Sequence, residues 1–161
     1  PREGEEEGVS YYFMSDEQFV QAVGEGGFLE HASVHGHYYG TPKAPVMSQL
    51  KAGRDVILEI DVQGAMQVKE SYPDGVFIFI LPPSVDALRS RIMHRGTESE
   101  EDIQVRLGAA QREMEYLEHY DYYVVNDDLE KAVDSVKKIM AAEHWKVTDA
   151  AGILKRIKGE E

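Results

Sequence analysis

Glu30, Tyr39, Gly40 and Thr41 bring a carboxylate, a phenol and a hydroxyl together around a tight turn. That set suits a guanine base. The Watson–Crick edge of guanine offers adjacent N1–H and N2–H donors to one carboxylate, and its O6 accepts from a hydroxyl, whereas adenine presents the wrong pattern. The plainer reading makes Glu30 a surface carboxylate and the tyrosines packing residues, and these four residues alone leave both readings open.

A second group follows the run Val56-Ile57-Leu58-Glu59-Ile60-Asp61-Val62-Gln63-Gly64. It reads as a strand buried on both faces that stops on the carboxylates Glu59 and Asp61 at the mouth of a helix. Ligands gather at the carboxyl ends of parallel strands, and phosphate-handling α/β enzymes hold metal there. Asp61 as a simple N-cap is the alternative. Arginines form the third group. Arg91 and Arg95 are four apart and share a helix face, with Arg89, Arg106 and Arg112 nearby. Cations at a helix end suit a closing lid, because phosphoryl transfer asks a protein mainly for positioning and for charge around the transferred oxygens. Ordinary salt bridging with neighbouring Glu residues is the alternative. Asn126-Asp127-Asp128 follows a strand, where a base could rest, although such residues also begin helices. His31, His35 and His37 have no carboxylate or cysteine partner in pattern and are not read as a metal site.

The elements that must position these residues alternate. Tyr11-Tyr12-Phe13 reads as a short strand, and Ser15 with Gln18 forms a capping box for a helix over 16–23. Strands at 28–34 and 38–39 flank a turn, and a short helix covers 44–50. A strand at 55–60 leads to a helix over 62–71, and a strand at 76–81 to a helix capped by Ser84 and ended by Gly96. A long helix reaches about His119, then come a strand at 122–125, a helix over 129–145 and a charged tail that frays. This alternation predicts an α/β layered fold with a parallel sheet.

Composition narrows the classes. The chain has 161 residues with a formal net charge of −13, which argues against a duplex nucleic-acid partner. No apolar run approaches the ~20 residues of a membrane helix, so a soluble cytoplasmic protein without a membrane partner is expected. The absence of cysteine removes disulfides and thiol redox chemistry.

In combination, the motifs Pro-Arg-Glu-Gly-Glu at 1–5, Phe-Leu-Glu at 28–30, Gly-x-Tyr-Tyr-Gly-Thr at 36–41, Leu-Glu-Ile-Asp-Val-Gln-Gly at 58–64, Pro-Pro-Ser at 82–84, Arg-Gly-Thr at 95–97 and Val-Asn-Asp-Asp at 125–128 resemble the guanylate kinase family, to about residue 145. The resemblance implies a P-loop kinase-type parallel sheet flanked by helices. It also implies transfer of the ATP γ-phosphoryl to GMP, with Mg²⁺ as cofactor. Residues matching Arg2, Tyr11 and Tyr39 would hold the GMP phosphate. Glu30 and Thr41 would read the base, with Gly40, Glu59 and Asp61 also among the GMP-binding residues. Arg91, Arg95 and Arg106 would be catalytic, approaching the ATP phosphates or the transferred group, and Asn126 would lie near the adenine.

Three parts follow from that resemblance: a GMP-binding module at 1–48, the rest of the kinase core at 49–145 with a lid at about 91–106, and a tail at 146–161. One departure is large, because no G-x-x-x-x-G-K pattern occurs. The expectation is therefore a piece of a longer kinase, inactive by itself and with two strand edges exposed. The alternative is a non-catalytic guanylate-kinase-like module that binds GMP or a phosphorylated peptide.

Overall fold

The computed structural model describes residues 4–9, 11–34, 36–94 and 99–159. They form two compact units, Pro1–Gly75 and Val76–Glu161, each described by itself.

In the first unit the predicted capping box forms: Ser15 accepts from the Gln18 N–H, and the Gln18 side chain accepts from the Ser15 N–H. Helix α1 (Asp16–Gly24) follows and buries Phe19. Strands β1 (Phe28–Val34) and β2 (His37–Pro42) pair antiparallel, and helix α2 (Lys43–Lys51) continues directly from β2. Helix α3 (Val62–Ser71) is capped by Asp61, whose carboxylate accepts from the Gly64 N–H at 2.8 Å. It buries Val62, Ala65 and Val68.

The hairpin contains an irregularity that the sequence did not announce. Phe28 pairs with Pro42 and Glu30 with Thr41, so Leu29 is the extra residue of a β-bulge. A bulge breaks the two-residue alternation of faces. Phe28 thereby joins Tyr38 on the side of α1, where Phe19 stacks on both rings at 4.6 and 5.1 Å, while Glu30 turns to the other face. Gly40 is required here by space. A Cβ on it would lie 2.8 Å from the Glu30 carbonyl oxygen and 2.9 Å from the Phe28 ring. Gly40→Ala is expected to force the strands apart at a cost of about 2 kcal/mol, read as a lower melting temperature, and an unchanged melt would contradict that packing.

The second unit holds a parallel pair, β3 (Ile78–Leu81) with β4 (Tyr122–Val125). Helices α4 (Val85–His94) and α5 (Glu100–Met114) make the crossover between them and pack through Ile92, Ile103, Leu107 and Leu88. Ser84 caps α4 as predicted, accepting from the Ala87 N–H at 3.1 Å. Helices α6 (Leu129–Glu143) and α7 (Ala150–Lys158) complete the chain. The Tyr122 hydroxyl donates to Glu143 at 2.5 Å, which with the Lys146 ammonium holds that carboxyl below its ordinary range. No helix among the described residues is long and apolar enough to cross a membrane.

The α/β class stands, with several corrections. Residues 55–60 form no strand, and Ile57 is 72% exposed, so the run is not covered on both faces. A strand exists only through a ladder partner, and none is present for this run among the described residues. The parallel sheet accordingly contains two strands. Tyr11–Phe13 is loop with one bridge from Tyr11 to Glu7, because the Phe13 N–H donates to the Glu7 carboxylate instead of to a strand. Val76 and Phe77 stand outside β3, since the Phe77 N–H is taken by the Asp121 side chain. The long helix tightens to a 3-10 turn at Glu115–His119, and the tail forms α7 instead of fraying.

Candidate functional site

In an antiparallel pair, residues directly opposite share a face, and so do residues two apart along a strand. Glu30 and Thr41 are opposite, Tyr39 is two before Thr41, and all three stand on the face away from α1. The Thr41 hydroxyl donates to Glu30 Oε1 at 2.6 Å. A hydroxyl has one proton. With that proton on Glu30, reading a base O6 requires the Thr41 hydroxyl to turn, while the carboxylate keeps lone pairs for incoming N–H donors.

The second carboxylate comes to the same place. The space where a Cβ on Gly64 would sit lies 3.2 Å from Glu30 Oε2 and 3.5 Å from Asp61 Oδ1. The absence of a side chain at Gly64 thus lets Glu30 approach the start of α3 beside its cap. Tyr11 packs edge-on against Tyr39, with ring centroids 5.9 Å apart at 64°, which brings two phenols to the same end of the hairpin. Glu59 is exposed on the segment leading into Asp61. The structure therefore gathers Tyr11, Glu30, Tyr39, Gly40, Thr41 and Asp61 in the first unit. Arg2 lies outside the described residues.

In the second unit Arg91 is exposed on the last turn of α4, and its side chain makes no hydrogen bond or ion pair among the described residues. Its neighbour Arg89 pairs with Glu100, a carboxylate held below its ordinary range by the Gln104 amide and by that guanidinium. Arg106 is exposed on α5 and already interacts within the chain. Arg95 lies outside the described residues. The Asn126 N–H donates to the Leu81 carbonyl at 2.8 Å, one step past the β3–β4 ladder, which fixes the half-buried Asn126 at the carboxyl end of the parallel pair. The next residues act as the simple reading held, with Asp128 capping α6.

Among the described residues no group of three or more His, Asp or Glu side chains could by itself hold a metal ion. A divalent ion that arrives on nucleotide phosphates keeps its waters and needs at most one or two carboxylates. Asp61 is a carboxylate of that kind at the mouth of α3.

The guanylate kinase family profile matches residues 1–143. The chain belongs to the guanylate kinase family. It is 54% identical to a guanylate kinase of Clostridium tetani over 147 residues, covering 91% of this chain and 71% of that protein. A guanylate kinase of Caldanaerobacter subterraneus is 49% identical over 160 residues, 99% of this chain and 78% of that protein. The crystal structure of guanylate kinase from Anaplasma phagocytophilum superposes with a TM-score of 0.77 at 34% identity, covering 99% of this chain and 78% of that one. As a member of this family the chain is a nucleoside monophosphate kinase of α/β fold.

Two site features escaped sequence reasoning. The bulge at Leu29 has no signature in Phe-Leu-Glu. Gln67, on α3, makes two hydrogen bonds to the backbone of His31. The spacing of Gly64, Gln67 and Ser71, three and then four residues, could have marked one helix face laid along a strand.

Proposed function

We propose that this chain carries the acceptor site and part of the donor site of an ATP:GMP phosphotransferase acting on the cytoplasmic purine nucleotide pool. The observation that carries this reading is the Glu30–Thr41 pair, 2.6 Å apart, facing the Asp61-capped start of α3 in a chain of the guanylate kinase family. Residues 1–48 serve as the GMP-binding module, 49–145 as the rest of the core, and 146–161 as the tail.

Glu30 accepts from guanine N1–H and N2–H, and Thr41 turns its proton to O6. Gly40 allows the close strand approach that brings these two together. Tyr11, Tyr39 and Arg2 hold the GMP phosphate, with Glu59 and Asp61 beside the nucleotide. Mg²⁺ brought in on ATP would neutralise phosphate charge, and Asp61 would be the carboxylate offered to it at the mouth of α3. A GMP phosphate oxygen attacks the γ-phosphorus, the bond from that phosphorus to the β-bridging oxygen breaks, and ADP leaves with the electron pair. Arg91, Arg95 and Arg106 stabilise the charge spread over the moving oxygens, and Asn126 lies against the adenine.

The test is the full-length protein with MgATP and GMP, followed by separation of the nucleotides. ADP and GDP should form in equal amounts. ADP without GDP, or neither product, would sink the proposal.

A further inference from the structure

The stripe Gly64, Gln67 and Ser71 of α3 lies along β1. Ser71 Oγ donates to the Leu29 carbonyl at 3.3 Å, and Gly64 leaves room for the Glu30 carboxylate. Between them the Gln67 amide is bidentate. Its Oε1 accepts from the His31 N–H at 3.0 Å, and its Nε2 donates to the His31 carbonyl at 3.0 Å. In an antiparallel ladder, alternate residues turn their backbone groups away from the partner strand. The Gln67 amide therefore stands in for a third strand at the open edge of β1, at the residue next to Glu30.

We infer that Gln67 is a positioning residue for guanine recognition, which sets Glu30 relative to Asp61 and so tunes affinity for GMP. This rests on the reading of Glu30 as the base-reading carboxylate. Two bonds from one rigid amide plane fix both the spacing of β1 from α3 and its slide along it. Asp61 belongs to the same helix, so the clamp fixes the two carboxylates against each other. His31 is exposed, so water can satisfy its backbone groups when Gln67 is removed. Loss of the clamp thus costs little stability while it frees the aim of Glu30.

The experiment is a double-mutant cycle on the full-length protein, with GMP and ATP affinities, turnover and melting temperature measured for each variant. Gln67→Met keeps the length of the side chain and removes both bonds. It should weaken GMP about tenfold, within the range seen for directly coupled residues. ATP affinity and turnover at saturating GMP should stay within about twofold, with little change in melting. In a Glu30→Gln background the same substitution should cost less than about twofold, because the carboxylate it aims is gone. If Gln67→Met does not fold, Gln67→Glu carries the same cycle. It keeps an acceptor for the His31 N–H, loses the donor to the carbonyl, and should again weaken GMP only when Glu30 is intact. A wild-type protein that fails to bind GMP would overturn the parent reading. GMP affinity unchanged by Gln67→Met, or equal losses in both backgrounds, would overturn the role of Gln67 alone.

Discussion

Glu30→Gln should weaken GMP about 100-fold while leaving ATP within about twofold. The carboxylate offers acceptors to both N1–H and N2–H of guanine, and hydrogen bonds to a charged group are worth about 1.5–3 kcal/mol each. The amide supplies one acceptor and turns an N–H toward a donor, so one base N–H loses its partner and meets a like dipole. Sites built to hydrogen-bond their substrate discriminate strongly because unmatched polar groups stay unpaired. The Thr41 hydroxyl can still donate to the amide oxygen, so the hairpin should melt at nearly the wild-type temperature. Titration calorimetry with each nucleotide checks this, and equal losses for both would remove Glu30 from base reading.

Arg91→Ala should lower turnover on the order of 100-fold, the scale of removing one stabiliser of transition-state charge, with the KM for GMP within about twofold. The two described arginines of α4 differ in their contacts. Arg89 is engaged by Glu100, whereas Arg91 at the end of α4 has no partner side chain among the described residues to hold it back from a phosphate. Arg91→Lys should recover only part of the rate, because the ammonium lacks the planar fork that matches phosphate oxygens. Steady-state rates at saturating GMP decide the matter, and unchanged turnover would take Arg91 out of the catalytic set.

What the sequence disclosed and what it concealed divide along a physical line. Local signals were legible. Ser15 with Gln18, Asp61, Ser84 and Asp128 all cap helices, since a cap depends on residues three apart. The hairpin at 28–42 and the parallel strands near 78 and 122 also emerge where the apolar runs place them. Glu30 and Thr41 were legible as a carboxylate and a hydroxyl in one short stretch, and the hairpin register sets them opposite one another. Features set by distant partners were not. The run at 55–60 has the composition of a buried strand, yet a ladder partner decides whether a strand forms. Asp121 intercepts the Phe77 N–H and delays β3, an interaction across 44 residues that no spacing reveals. The bulge at Leu29 and the Gln67 clamp belong to the same class, and both bear on where the Glu30 carboxylate stands.

The most direct test of the account is kcat/KM of the full-length protein with MgATP and three acceptors, GMP, IMP and AMP. IMP keeps N1–H and O6 but lacks the exocyclic amine, and AMP reverses the donor and acceptor order at the edge read by Glu30 and Thr41. GMP should come first, IMP should be weaker by about the worth of one charged hydrogen bond, roughly 10-fold or more, and AMP should stay near background. Comparable rates for AMP and GMP would contradict it.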